Sequence, residues 1–436
     1  MKRLFYTILL LLILAGCSRK ASQPIGIFDS GTGGLTVLEK FLEMEEYGHE
    51  RFVYLADQAN MPYGNYDAAG KADYLRELVV RDAEFLTQDR YYRNAAEAKA
   101  TGRKAPSKII VIACNTATAY GLEAVKERFS GTGIHIIGVI NAGVKAALEH
   151  LAAEKEPFAI GVMATPGTIS SGAYERTLTE MASQLGVTNL AAVVNQKGYG
   201  FAEAVDNEPD FVDPGLTEPR ENYRGPRFGT RDEDIKPDLM DVYHFETDNH
   251  ALLCQEDGSD IQLNSGANYA RFNLVSLVER HRQAGFGVPI KAIILGCTHY
   301  PFHLRTLEQV VRELRDYRLG DSYPYRDILA EDLVFIDPAH DTAMECLSAL
   351  QEQGLLRRRG NRSLQAYISV PSADLPKECL TPCGGLTYAF KYGRETGSKE
   401  ISTKPVPFSK ENLDPANLER VRTILPLTYN LLVPCL

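Results

Sequence analysis

Along this chain, short apolar runs are followed by small and hydroxylated residues and then by amphipathic stretches. IGIFDSGTGGLTVLEKFLEM from Ile25 and KIIVIACNTATAYGLEAVKERF from Lys108 show the pattern most plainly. A continuous apolar run reads as a strand buried on both faces, and the amphipathic stretch after it as a helix laid over the sheet. Strands alternating with helices in this way predict an α/β fold built on parallel sheets.

The pattern occurs twice. Ile25-Gly26-Ile27-Phe28-Asp29-Ser30 matches Ile160-Gly161-Val162-Met163-Ala164-Thr165 in its I-G-apolar opening and in the hydroxyl at its sixth place. Lys108-Ile109-Ile110-Val111-Ile112-Ala113-Cys114 matches Lys291-Ala292-Ile293-Ile294-Leu295-Gly296-Cys297 more closely, with the lysine, the branched aliphatics, a small residue and the cysteine aligned. The paired segments start 83 residues apart in the first copy (25 and 108) and 131 apart in the second (160 and 291), so the second copy carries 48 extra residues. Their expected place is about 207–266, which is charged, rich in turn formers and without clear periodicity. A loop of that length is either functional or a surface excursion. Two such α/β units can face each other across a cleft, with ligands bound outside the carboxyl ends of the strands. Both cysteines sit at that edge.

Composition narrows the class. Of 436 residues 44% are hydrophobic and 24% charged, the profile of a globular protein with room for two or three domains. Lys and Arg number 47 against 57 Asp and Glu, a net charge of −10, and no basic run tracks a phosphate backbone. That balance argues against a nucleic-acid partner.

The chain opens MKRLFYTILLLLILAGC, two cations and then an apolar stretch too short to span a bilayer, with small residues ahead of Cys17. Leu14-Ala15-Gly16-Cys17 resembles the bacterial lipobox, which implies cleavage before Cys17 and acylation of it; the alternative is a plain cleaved signal with an incidental cysteine. The expectation is a signal over 1–17, an acidic soluble body held to a membrane by its N-terminal lipid alone, and no transmembrane helix later in the chain. It places the protein in the cell envelope, on the periplasmic side of a membrane, with Ser18 leaning toward the outer membrane by resemblance to lipoprotein sorting.

A cysteine after a strand is by itself usually a small buried hydrophobe. Here two occupy equivalent places, each followed by polar residues at the start of a helix: Asn115, Thr116 and Thr118 after Cys114, and Thr298, His299 and Tyr300 after Cys297. Unpaired N–H groups at a helix start bind carboxylates and favour thiolate. Without a CxxC or a His pair nearby they are a poor closed zinc set. A pair of thiol acid/bases, one on each side of a bound carbon, accounts for the symmetry: one takes a proton from one face while the other delivers a proton to the opposite face.

IGIFDSGTGGLTVL, YLADQANMPYG, ACNTATA, IIGVINAG, TPGTISSGAY and LGCTHYPF resemble, in order, the successive motifs of the cofactor-independent glutamate racemases, over about residues 24–345. The resemblance implies two flavodoxin-like doubly wound parallel-sheet domains with pseudo-twofold symmetry and the substrate at their interface. It implies a first domain of 24–130 plus 299–355, a second of 131–298 that holds the insertion, and a C-terminal extension, 356–436, for which it supplies no role. The implied activity is racemisation of glutamate by Cys114 and Cys297 without pyridoxal phosphate, metal or nicotinamide. Lys108 and Lys291, at strand starts, lie on the wrong edge for a Schiff base. Family members form dimers, so a homodimer is an expectation as well.

The resemblance also implies roles for single residues. Asp29 and Ser30 meet the substrate, and Asp29 can pair with its ammonium and help a thiol lose its proton; the alternative for Asp29 is a helix cap. Asn115, Thr116 and Thr298, with nearby backbone amides, hold the carboxylates and the enolate-like charge that a thiol of pKa about 8.5 needs stabilised when it attacks a weak carbon acid. His299 assists Cys297, or is a half-buried loop residue. Tyr63 and Gly64 close the pocket, or merely form a turn. Thr165 and Thr168 touch the substrate, or cap the next helix. Where the family has a Cys-Pro-rich stretch ending in Glu, this chain has NQKGYGFAEAVDNE, with Asp206 at the glutamate place and Glu203 and Glu208 as rivals. Of the remaining cysteines, 254, 346, 379, 383 and 435, Cys379 and Cys383 are candidates for a bridge. Two further readings stay open: a racemase for aspartate or another acidic amino acid, and a lipoprotein that binds such amino acids without turnover.

Overall fold

Burial of both faces of each apolar run produces two parallel sheets. The computed structural model describes residues 20–255, 258 and 260–436; the signal segment and Cys17 lie outside the described residues. The principal strands are β1 (Ile25–Asp29), β2 (Arg51–Ala56), β3 (Ile109–Ile112), β4 (His135–Gly138), β5 (Phe158–Ala164), β6 (Leu190–Lys197), β7 (Ile290–Gly296), β8 (Leu329–Ile336), β9 (Ser363–Pro371) and β10 (Thr403–Pro407). The helices that matter below are α1 (Leu35–Glu43), α2 (Ala72–Thr87), α3 (Asn115–Arg128), α4 (Phe201–Val205), α5 (Gly266–Ala284) and α6 (Leu304–Asp316). The chain divides into two compact units, Met1–Val139 with Ala339–Leu436, and Ile140–Pro338.

The first unit has the sheet β10-β9-β2-β1-β3-β4, parallel throughout except for the antiparallel edge strand β10. The second has β8-β7-β5-β6, all parallel. Within each unit the first four strands in chain order stand as second, first, third, fourth, the flavodoxin-type arrangement with its switch point between the first and third strands. The repeat read in the sequence is therefore a repeat of topology: β1 corresponds to β5 and β3 to β7. Alternation along the strands serves both faces. In the first unit Phe28, Ile110 and Ile112 pack with α2 and α3, while Phe52 meets Phe41 of α1 and Tyr47.

The units differ from the expected domains at both crossings, and the first falls at 139/140 and not at 130/131, so that β4 stays with the first unit. The chain returns to the first unit at 339 and not at 299, because β8 pairs with β7 (Ile293↔Phe335) and holds α6 in the second unit. A strand takes the neighbour whose backbone it can pair with, and no local pattern names that neighbour.

The C-terminal extension is part of the first unit. Strand β9 lies parallel to β2 (Ser363↔Arg51), and the helices Pro415–Ile424 and Pro426–Leu432 follow. Buried Glu39 of α1 accepts the N–H groups of Leu427 and Thr428 at the start of the last helix, at 3.0 and 2.7 Å. At the amino edge of the sheet Lys108 is fully buried against Glu50, 2.7 Å away, and also reaches the carbonyls of Ala21 and Leu355.

The insertion is not an excursion. It buries Phe211, Val212, Tyr223, Ile235, Leu239, Val242 and Tyr243, and carries a hairpin of Leu252–Cys254 with Ile261–Leu263. Its aromatic residues join the hydrophobic core built around α5. The candidate bridge between Cys379 and Cys383 is absent, and both thiols are free. Backbone bonds from Thr387 N–H to Cys379 and from Thr381 N–H to Gly385 set Cys379 opposite Thr387 and leave Cys383 in the turn.

Among the described residues no helix is long and apolar enough to cross a membrane.

Candidate active site

In the first unit the switch point lies between the ends of β1 and β3, and each end delivers site residues. Asp29 closes β1, fully buried, and its Oδ2 accepts the N–H groups of Gly31 (3.2 Å) and Gly34 (2.9 Å). It thus shapes the glycine-rich turn that leads into α1, whose N-cap is Gly34 and not Asp29. A Cβ on Gly34 would fall 2.4 Å from that of Asp29, so this turn requires glycine there. Tyr54 steadies the turn with a bond from its hydroxyl to Gly31 O, 2.7 Å.

Cys114 follows β3 as the N-cap of α3. Its sulfur accepts the N–H of Ala117 at 3.4 Å and lies 3.7 Å from Ser30 Oγ. The positive end of the helix therefore points at this sulfur. Asn115 and Thr116, both buried, occupy the first turn of α3. Thr118 is a prop, its hydroxyl bonding the carbonyls of Ile112 and Cys114.

The second unit repeats the placement with different partners. Thr165 follows β5, caps the helix Pro166–Ser170 by accepting from Thr168 N–H at 3.3 Å, and has its hydroxyl 3.0 Å from that of Thr168. Cys297 follows β7 and is 6% exposed, as is Cys114. Its sulfur lies 3.5 Å from His299 Nδ1, and His299 Nε2 lies 3.3 Å from Asp206 Oδ2, with His299 and Asp206 both buried. Burial opposes a charge on the ring, but Asp206 and the thiol outweigh it and hold the His299 pKa well above its ordinary value. Thr298 sits between the two, 7% exposed. Asp206 follows α4, where Phe201 stacks on Tyr300 at 4.3 Å between ring centroids. Of the three carboxylates considered for this place, Asp206 lies at ion-pair distance from His299, and the charge of Glu203 bears on the phenols of Tyr269 and Tyr300.

These geometries place two cysteines alike: after the third strand of a unit, at its switch point, nearly buried. The first relies on a helix end and the second on a His–Asp pair. Residues 83–208 match the Asp/Glu/Hydantoin racemase family, a stretch that includes Cys114 and Asp206. The chain is 36% identical over 170 residues to the glutamate racemase of Streptococcus gordonii, covering 39% of this chain and 53% of that one. It is 32% identical over 179 residues to that of Gloeothece citriformis, covering 40% and 53%. The chain thus spans about half the length of the curated relatives it matches. The glutamate racemase of Bacillus anthracis aligns in structure with a TM-score of 0.49 at 25% identity, over 79% of this chain and 88% of that one. Residues 1–18 match the prokaryotic membrane lipoprotein lipid attachment site, which points to a cell-envelope lipoprotein.

Two tyrosines go beyond the sequence reading. Tyr63 is 2% exposed, and its hydroxyl lies 2.5 Å from Asp57 Oδ2 and 2.7 Å from Asp82 Oδ2, so it is engaged by buried carboxylates of its own unit. Gly64 precedes the short helix Asn65–Ala68. Tyr174, unassigned by sequence, is buried beside Cys297 and Asp337, and its phenol is pushed upward by burial first and then by those two groups. It ends the quoted TPGTISSGAY, but nothing in that string marks it as a neighbour of Cys297.

Proposed function

We propose that this protein racemises glutamate by a two-base proton transfer between Cys114 and Cys297, without a cofactor. The observation that carries the reading is the equivalence of the two thiols, each following the third strand of its unit in a loop of polar residues that opens into a helix. In one direction a thiolate removes the α-proton and the other thiol supplies a new one; in the reverse direction the roles exchange. Asn115, Thr116 and Thr298 stabilise the charge that moves onto the substrate carboxylate, and Asp29 and Ser30 receive the ammonium. Asp206 keeps His299 charged, with its Nδ1 facing the Cys297 sulfur, where it can pass a proton to or from the thiol. The choice of glutamate rests on the names of the relatives.

The test is turnover in deuterated water. Racemisation places deuterium on the α-carbon of product, and binding without chemistry does not. Cys114→Ala and Cys297→Ala, tested separately, should each lower the rate by about 10²–10⁴-fold or more. A single variant that racemises at the wild-type rate rules out the two-thiol scheme. Exchange on aspartate in place of glutamate reassigns the substrate. The lipid anchor puts the domain on the periplasmic side of a membrane, and Ser18 favours the outer membrane.

A further inference from the structure

The first unit contains a cavity of about 310 Å³ that none of the cysteine-loop residues lines. Its walls are α2, the end of β2, Ser369 of β9 and residues 398–403 of the C-terminal extension. Five charged side chains line it, the acids Asp57, Asp82 and Glu400 and the cations Arg81 and Lys399. Asp57 and Asp82 are both more than nine-tenths buried, while Arg81 and Lys399 share the same lining.

The two carboxyls are arranged in a way that water alone does not explain. Asp57 is saturated: both its oxygens accept from Asn60 Nδ2, and Oδ2 also faces Tyr63. Asp82, which lines the cavity, meets Tyr63 through Oδ2, and among the described residues no hydrogen-bond donor pairs with its Oδ1. The phenol of Tyr63 has a single proton, so it can donate to one carboxylate only. The second close oxygen is accommodated by a proton on the acid itself, and burial and the charge of Asp57 push the Asp82 pKa well above the usual range. A buried acid of this kind releases its proton when a cation arrives. Arg81, the next residue on α2, spends one guanidinium nitrogen on Glu77 and the Ser398 carbonyl and keeps its remaining N–H groups.

We propose that this cavity is a second ligand site, one that takes the zwitterion of a small amino acid with its ammonium on Asp82 and its carboxylate on Arg81 and Lys399. Acid and cations adjoin in one cavity, as the two ends of a zwitterion require, and its volume lies at the lower end of the range for small-molecule sites. The segment 398–403 completes the wall, which assigns the C-terminal extension a role. The proposal goes beyond the racemase reading and does not depend on it.

Saturation-transfer NMR on the mature full-length chain tests it, with glycine as the whole ligand and ethylammonium and acetate as its halves. Glycine should show transfer at concentrations up to roughly 10 mM, as a Kd of roughly 1 mM requires. Asp82→Asn, which keeps a polar group beside Tyr63, should weaken glycine and ethylammonium at least tenfold. Arg81→Gln, on the outer part of α2, should weaken glycine tenfold and leave ethylammonium unchanged. Should Asp82→Asn fail to fold, Arg81→Gln decides the matter. No glycine signal in the wild type, or a signal that survives the substitutions in folded protein, overturns the proposal.

Discussion

His299 titrates according to its partner. Its pKa is raised in the folded chain, so the pairing with Asp206 contributes in full below the unfolded value of about 6.5 and fades as the pH climbs through the folded value. Asp206→Asn should therefore cost about 3–5 kcal/mol near pH 6, as loss of one partner of a buried pair does, and less in alkaline buffer. Urea midpoints of both proteins across the pH range check this; a gap that stays constant removes the ion pair from the account. At this scale the positions of Cys114, Cys297 and His299 stood out, because each lies in a short string whose residue types already state a chemistry, while Asp206 came only from the resemblance, with Glu203 and Glu208 as rivals. Asp57, Asp82 and the true partners of Tyr63 were not. Asp82 lies in the middle of an amphipathic helix, and its burial follows from what packs over α2 and not from its neighbours in the chain.

Elements carry the second set of expectations. Gly198, just after β6, is approached so closely by Tyr300 that an added Cβ would lie 1.8 Å from its hydroxyl. Gly198→Ala must move Tyr300 or α4, and overpacking of this kind costs about 1–3 kcal/mol. A chemical-denaturation midpoint that does not shift would show that the contact is slack. The insertion acts on the same element. Phe211 accompanies Tyr269 against Gly200, whose φ of +67° favours glycine. Phe211→Ala should cost about 3–5 kcal/mol through the cavity it leaves, and racemisation should fall with it, since α4 leads directly to Asp206. If thermal stability falls and activity at low temperature does not, the insertion is structural only. The apolar positions of the insertion are scattered among charges and turn formers, and burial reveals them only once α5 is folded against them.

For the whole molecule, the attachment signal makes the sharpest forecast. Cys17→Ser should release the protein from the membrane fraction, because acylation then has no sulfur to use and stable anchoring needs more than one chain or signal. Recovery of the variant in the membrane fraction at the wild-type level contradicts the lipid anchor. The alternation of strands and helices, the duplication and the equivalence of the two cysteines were determined by the sequence itself, through period, spacing and repeated strings, all of which act over a few residues. Which strand pairs with β7, where the chain re-enters its first unit, and that residues 363–407 extend the first sheet were decided only by tertiary structure. Backbone pairing and side-chain burial are set by partners hundreds of residues away, and a strand carries the same local signal whichever neighbour it finds.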